Sequence, residues 1–173
     1  ITWNDDGTKL YEIGLTADLI YEYDASTPFD IGTAVFSQSI STQDAVPTVL
    51  AWNNDGTTLY EVGAGSDRIY EYDVSTAFDI TTATFSQFTS AQDNAPRGIA
   101  WNDDGSKLFE VGPAGDKIYE YDVSTPFDVS TASFSKSIAT QDGGASGITC
   151  NHEGTKLFEV GNDSALIYEY DAA

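Results

Sequence analysis

The sequence predicts an all-β protein built from tandem repeats, and two observations carry that prediction. First, the 173-residue chain repeats itself at a step of 49, and one repeat position is filled by Trp3, Trp52, Trp101 and Cys150. The string I-Y-E-Y-D recurs at the same step, beginning at Ile20, Ile69, Ile118 and Ile167. Second, each complete unit holds four short runs rich in β-branched and aromatic residues, separated by turns of Gly, Asn and Asp, which is typical of antiparallel strands.

The second unit shows how each strand is placed. Strand A covers residues 49–53, B 58–63, C 68–73 and D 83–89. The turn between A and B reads Asn53-Asn54-Asp55-Gly56, in which Asn and Asp side chains cap the turn and Gly56 supplies the positive φ that closes it. No window has helical periodicity, so we expect no helix.

A unit of roughly 40–50 residues with four antiparallel strands is typical of a β-propeller blade. We therefore predict an all-β β-propeller, or half of one, with units 1–46, 47–95, 96–144 and 145–173, the last of them without its strand D. Because one blade cannot bury both of its faces, the repeated aromatic residues are interpreted as packing between blades. Two chains could close one ring of about eight blades, one chain could close a four-bladed ring, or an open segment could pair its edge with another subunit.

The strings W-N-D-D-G-T-K-L-Y-E-I-G, from Trp3 to Gly14, and I-Y-E-Y-D-A-S-T-P-F-D-I, from Ile20 to Ile31, resemble known propeller repeats. These are the repeats of phage and environmental bacterial surface proteins and, more distantly, of YVTN-type surface-layer propellers. The resemblance covers the whole chain and implies an exported, cell-surface or virion-borne binding protein, while it specifies the fold far more than the function. One departure is glutamate where an apolar strand residue is commoner, at Glu12, Glu61, Glu110 and Glu159.

Composition excludes several classes of partner. The 28 Asp and Glu residues outnumber seven Lys and Arg, which gives a formal net charge of −21. Such a surface repels phosphate backbones and anionic lipid, so we expect no nucleic-acid partner. No apolar run approaches the roughly 20 residues of a membrane span, so we also expect no membrane insertion.

Catalytic residues are few, and we predict that the protein is not an enzyme. Cys150 and His152 are the single cysteine and histidine. No third group is placed to orient them, so Cys150 is interpreted as a small core residue. Glu12 and Glu22 should lie on opposite faces of the first sheet, which is the wrong geometry for a glycosidase pair. A glycoside hydrolase using another carboxylate pair stays the catalytic alternative.

The best candidate site is a ring of polar loop residues. In a four-stranded blade the B–C and D–A connections share one face, here called the loop face. Its candidate ligand-binding residues are Asp18, Asp67, Asp116, Gln43, Asp44, Gln92, Asp93, Gln141 and Asp142. Such a ring could bind a sugar, alone or with a cation, or could simply be solvated loop polarity. We predict no cofactor; calcium stays open, although the N-D-D-G turns lack the spaced carboxylates of a dedicated calcium loop.

These features together predict a non-catalytic binding or adhesion module outside the cell, on a cell surface or on a virion. It would recognise a surface glycan or protein through repeated, individually weak sites on the loop face. The alternative is a structural subunit of a filament or surface coat that assembles through unpaired blade edges. In either case we expect a homo-oligomer, formed by ring closure or through edges.

Overall fold

The computed structural model describes residues 1–14 and 16–172; Leu15 of the first predicted unit and Ala173 of the fourth lie outside the described residues. The described chain forms four antiparallel sheets that follow one another as the blades of a β-propeller, which confirms the predicted fold class. Blade 1 contains β1 Thr2–Trp3, β2 Lys9–Gly14, β3 Leu19–Ala25 and β4 Ala34–Ser41. Blade 2 contains β5 Pro47–Trp52, β6 Thr58–Gly63, β7 Arg68–Val74 and β8 Ala83–Ser90. Blade 3 contains β9 Gly98–Trp101, β10 Lys107–Gly112, β11 Lys117–Val123 and β12 Ala132–Ala139, and blade 4 contains β13 Ala145–Cys150, β14 Lys156–Gly161 and β15 Ile167–Asp171.

Blades 1 to 3 run in the order A-B-C-D and blade 4 runs A-B-C among the described strands. The A strands of neighbouring blades contact each other, β5 with β9 and β9 with β13. The A–B turns form as the sequence predicts. The Oδ1 atom of Asn53 accepts the backbone N–H of Thr58 at 3.0 Å, and Oδ1 of Asp55 accepts that of Thr57 at 3.0 Å. Gly56 has a φ of +71°, a conformation that is costly for residues with a Cβ.

The C–D connection departs from the prediction that the chain has no helix. A three-residue 3-10 turn lies in this connection in each of the first three blades, at Ile31–Thr33, Ile80–Thr82 and Val129–Thr131. In the second, the Asp79 carboxylate caps the turn by accepting the N–H of Thr81 at 3.0 Å. So short a turn is set by its Asx cap rather than by periodicity, which explains why a search for helical periodicity misses it.

Aromatic rings join the blades as predicted. The Trp52 ring lies 5.0 Å from Tyr11 of the preceding blade and 5.3 Å from Phe78 of its own, measured between centroids. The Tyr11 hydroxyl donates to the Phe78 carbonyl across the same interface at 2.5 Å. Cys150 fills the tryptophan position in blade 4, and its thiol donates to the Trp101 carbonyl at 3.1 Å. The interpretation of the repeated aromatic residues as contacts between blades is confirmed.

The two ends of the array are uncovered. Val62 and Ile69 of blade 2 are fully buried under blade 3, whereas the equivalent Val160 and Ile167 of blade 4 are 43% and 76% exposed. At the other end, Ile31 of blade 1 is 66% exposed, although its counterpart in blade 2 is fully buried. Blade 4 therefore does not pack on blade 1 as the internal blades pack on each other, and the described blades form an arc.

Candidate functional site

The loop face forms as the sequence predicts, because side chains of the D–A loops bind the backbone of the B–C loops. Oδ1 of Asp44, in the loop between β4 and β5, accepts the N–H of Val46 at 2.7 Å and that of Gly65 at 3.0 Å. Its other oxygen accepts the Ser66 hydroxyl. The loops of one end of the blade thus meet on a single face, and Asp44 joins them.

Asp93 and Asp142 repeat this arrangement in the next two blades. Asp93 accepts the N–H of Ala95 at 2.9 Å and that of Gly115 at 2.8 Å, and Asp142 accepts those of Gly144 and Ser164, both at 2.9 Å. The side chains of Asp44, Asp93 and Asp142 are buried. Burial acts to raise the pKa of Asp44, but the hydrogen bonds from Ser66 and the loop backbone outweigh it and lower that pKa. We therefore assign to these three candidates the role of holding the loops together.

Buried glutamates form a second layer beneath these aspartates, and the sequence interpretation gave them no role. The Glu61 carboxylate accepts the N–H groups of Gln43 and Asp44, each at 2.9 Å, and the hydroxyl of Tyr72. Burial raises the pKa of Glu61, against the effect of these hydrogen bonds. The signal was present in the sequence as glutamate at an apolar strand position. Its meaning is that a carboxylate can satisfy two buried backbone donors of the D–A loop at once.

The same glutamate layer continues through blade 3 and weakens in blade 4. Glu110 accepts the N–H groups of Gln92 and Asp93 at 3.0 and 2.8 Å. In blade 4, one oxygen of Glu159 accepts the Tyr170 hydroxyl at 2.6 Å, and Oε1 is buried without a hydrogen-bond partner among the described residues. The backbone of the D–A loops is therefore fixed from below most completely in blades 2 and 3.

The B–C candidates are turn residues. Asp18, Asp67 and Asp116 have φ values of 51°, 55° and 49°, the left-handed conformation that Asp tolerates better than most residues. Each carbonyl accepts an N–H from just beyond strand D, as in Thr42 to Asp18 at 3.0 Å. The side chains of Asp18 and Asp116 are exposed, and Asp67 is half-buried with Oδ1 unpartnered among the described residues.

Glutamines complete the exposed part of the loop face. The side chains of Gln43, Gln92 and Gln141 are exposed, while their backbone N–H groups bind Glu61, Glu110 and the Tyr170 hydroxyl respectively.

Near the start of the A strands lies an open depression of about 630 Å³. Residues from all four blades line it, among them Ile13, Pro47, Thr48, Ala95, Arg97 and Ser146.

The residues weighed for catalysis do not assemble into a reaction centre. His152 contacts Asp103 of the neighbouring blade, and burial raises the pKa of the Cys150 thiol to about 11. The strand register pairs Tyr11 with Glu22 and Glu12 with Tyr21, which confirms that the two glutamates lie on opposite faces of the sheet. Glu22 is instead buried against Lys9 and the N–H of Ile80. Within residues 1–14 and 16–172, no three His, Cys, Asp or Glu side chains come together as metal ligands.

Comparison with known proteins identifies the fold but not a family or a function. No protein-family model matches the chain, and no curated protein matches it. Among solved structures, the β-propeller domain of Cps50 (Swd1) from Myceliophteria thermophila is 14% identical with a TM-score of 0.66, over 99% of this chain and 52% of that one. A chain of the mitotic checkpoint complex is 13% identical with a TM-score of 0.69, over 98% of this chain and 49% of that one.

A third similar structure, provisionally named as a 6-phosphogluconolactonase from Bacteroides uniformis, is 16% identical with a TM-score of 0.70, over 98% of this chain and 49% of that one. The chain thus spans about half the length of the solved structures it matches. At these identities the likeness shows a β-propeller fold shared by proteins of different roles. Among the described residues, no helix has the length and apolar character needed to cross a membrane.

Proposed function

We propose that this chain is a non-catalytic binding module that recognises a surface glycan or a protein through its loop face. The observation that supports this most is that different polar side chains of the loop face have different roles. Asp44, Asp93, Asp142 and the glutamates beneath them hold the loop backbone, while Gln43 and its repeats point polar groups outward. Loops fixed in this way lose little conformational entropy when a partner binds.

The repeat adds a second element to the proposal. Exposed side chains at Asp18 and Asp116, and at Gln43, Gln92 and Gln141, offer several copies of one weak site in a fixed arrangement. A partner with repeated epitopes, such as a glycan coat or a protein array, would gain affinity through multivalency. A location outside the cell, on a cell surface or on a virion belongs to the same proposal and is supported by the resemblance of the repeats.

A paired set of triple variants tests the loop face. Gln43, Gln92 and Gln141 are changed together to Ala; the control changes Ser26, Ser75 and Ser124 to Ala, exposed residues of the C–D connections on the opposite face. Each protein is applied to a broad glycan array, with calcium and with chelator, and to immobilised cell-surface protein extracts. We expect binding that falls about tenfold or more in the glutamine variant and not in the control. Equal binding by both variants would contradict the loop face, and a blank array would exclude the glycan version.

A second proposal, assembly into a filament, coat or closed ring, is supported by the uncovered ends of the arc. Phe29 and Ile31 at one end and Val160 and Ile167 at the other are exposed, and the internal interfaces join the same two kinds of face. We expect mass to rise with concentration in light scattering, and Ile167→Asp to reduce that rise. Ser86→Asp, on the exposed outer strand of blade 2, is the matched control. A monodisperse single chain at all concentrations would reject assembly.

A further inference from the structure

The outer strand of each four-stranded blade carries a phenylalanine that is exposed to solvent. The side chain of Phe85 on β8 is 45% exposed, and that of Phe134 on β12 is 49% exposed. Phe36 occupies the same repeat position on β4. Phenylalanine is usually buried, and one exposed ring alone is ordinary. The same exposed ring in successive blades indicates a repeated feature of the surface.

Described blades lie on both sides of Phe85 and of Phe134. Phe85 pairs with Tyr72 across β7 and β8, and Tyr72 packs in the core cluster that blade 2 shares with blade 1. Phe134 pairs with Tyr121, which packs in the cluster shared by blades 2 and 3. Each of these phenylalanines therefore lies on the side of its sheet that faces the preceding blade, at an outer margin which that blade leaves uncovered.

The repeat retains this phenylalanine while a neighbouring position changes. The residue before it is Val35, Thr84 or Ser133. The residue after it is serine in all three outer strands, at Ser37, Ser86 and Ser135. A ring needed only to cover the tyrosines beneath it could be replaced by an aliphatic side chain of similar size. The invariant Phe-Ser pair therefore indicates a role for the flat ring and for the hydroxyl beside it.

Buried tyrosines hold each phenylalanine ring in place. The Phe85 ring lies 6.2 Å from Tyr70 and 6.4 Å from Tyr72, measured between centroids. The Phe134 ring lies 6.3 Å from Tyr119. All three tyrosines are buried. A ring that packs against buried neighbours loses little conformational entropy when a ligand binds to it.

Phe88 on the same strand as Phe85 provides a contrast. The Arg68 guanidinium lies 4.0 Å from the centroid of the Phe88 ring, so a cation–π contact already occupies that ring. In the described part of the chain, no cation lies over Phe85 or Phe134 in this way. Phe88 is also confined to blade 2, because serine stands at its repeat position in blades 1 and 3.

The outer edge of these strands is polar and irregular. β8 and β12 are the last strands of their sheets, so one edge of each has no partner among the described strands. Ser86 is an extra residue opposite β7, and Ser135 is an extra residue opposite β11, so each strand has a bulge beside its phenylalanine. A bulge interrupts the regular ladder that an added strand needs. The exposed hydroxyl residues on both sides of the ring, with Thr84 and Ser133 preceding it, favour a small polyhydroxylated ligand over a protein strand.

We propose that Phe85 and Phe134, each with its flanking hydroxyl residues, are two copies of a binding site for a neutral pyranose sugar, here called the rim site. The less polar C–H face of the sugar lies against the phenylalanine ring. The sugar hydroxyls bind the flanking Thr and Ser hydroxyls and the unpaired backbone groups of the outer strand. Asp73 and Asp122, which are exposed and pair with the residue before each phenylalanine, repel a carboxylated or sulfated sugar. The rim site is separate from the loop face and does not depend on either function proposed above.

Titration with oligosaccharides tests the rim site on the intact 173-residue protein. Linear hexasaccharides of glucose, mannose and N-acetylglucosamine are the neutral probes, and a hexasaccharide of galacturonic acid is the anionic control. Binding is followed by calorimetry and by NMR of isotope-labelled phenylalanine rings. We expect at least one neutral probe to saturate the protein with an affinity of about 1 mM or tighter and to shift the signals of Phe85 and Phe134 but not that of Phe88. The galacturonic acid probe should not bind.

Protein variants separate sugar binding from packing. Phe85→Leu combined with Phe134→Leu keeps an apolar cover but removes the flat rings, so it should weaken binding about fivefold or more. The corresponding pair of Phe→Tyr substitutions keeps the rings and should retain binding. Phe88→Leu is the matched control and should bind normally, as should the triple glutamine variant of the loop face.

Four results would each overturn the proposal. They are the absence of saturation by about 10 mM of any neutral probe, equal affinity in the Leu pair and the original protein, equal binding of the galacturonic acid probe, and loss of binding in the loop-face variant instead of the Leu pair. A peptide of residues 83–90 that slows amide exchange along β8, with no neutral probe bound, would show that the outer edge accepts a protein strand instead.

Discussion

Replacing Asp44 tests whether its carboxylate stabilises the folded loops. In Asp44→Ala the N–H groups of Val46 and Gly65 lose their acceptor, as does the Ser66 hydroxyl. A hydrogen bond to a charged group contributes about 1.5–3 kcal/mol, but these donors are only partly buried and water can replace some of the loss. We therefore expect the free energy of unfolding to fall by about 2–3 kcal/mol. Asp44→Asn keeps one oxygen for the two N–H groups, and we expect a loss of about 1 kcal/mol.

Urea unfolding followed by tryptophan fluorescence measures this loss, because Trp52 and Trp101 lie at blade interfaces. The matched control is Gln43→Ala, an exposed neighbour expected to stay within about 0.5 kcal/mol of the unchanged protein. The folded-state pKa of Asp44 is lowered, so its contribution is present above the usual pKa of 3.8 and is lost as pH falls through the folded value. The gap between the original protein and Asp44→Asn should therefore shrink below about pH 4. An Asp44→Ala protein as stable as the Gln43 control would refute the assignment.

Three further outcomes follow from the structure. Gly56→Ala should lower the free energy of unfolding by about 2 kcal/mol or more in urea, because φ is +71° and a Cβ would lie 2.4 Å from Cδ2 of Phe78. Gly14→Ala, where a Cβ meets nothing within 4 Å, is its control. Cys150, with a pKa of about 11, should resist iodoacetamide at pH 8 in the folded protein and react in urea; fast folded-state labelling would contradict its burial. The melting temperature should rise between about 10 mM and 0.5 M salt, because a net charge of −21 repels itself; no change would show that repulsion is unimportant.

The sequence predicted the blades because each of their determinants is local. Strand B at residues 58–63 and the turn ending at Gly56 depend on neighbours within one unit, and the 49-residue step showed which units were equivalent. The aromatic contacts between blades followed because repeated apolar positions on both sides of a sheet must be covered.

The candidate site was predicted less well, since its chemistry depends on which polar groups are buried. Nothing local distinguishes Asp44, which binds two loops from inside, from the exposed Gln43 before it. Likewise, Glu61 was recognisable as unusual, but its partners lie 17 and 18 residues away across the D–A connection. The register of the strands brings those groups together, and that register is seen only in the folded structure.

Part of the acidic composition is buried inside the propeller. Nine of the 28 acidic side chains are buried: Glu22, Asp44, Glu61, Glu71, Asp93, Glu110, Glu120, Asp142 and Glu159. Most of them accept backbone N–H groups of a loop or turn, so they belong to the packing of the propeller rather than to its outer surface. The remaining 19 acidic side chains still outnumber the seven Lys and Arg, so the outer surface is acidic even when the buried carboxylates are left out. Such a surface disfavours phosphate backbones. Acidity in this fold therefore has two separate causes: buried carboxylates that hold loops together, and the other carboxylates, which make the outer surface negative.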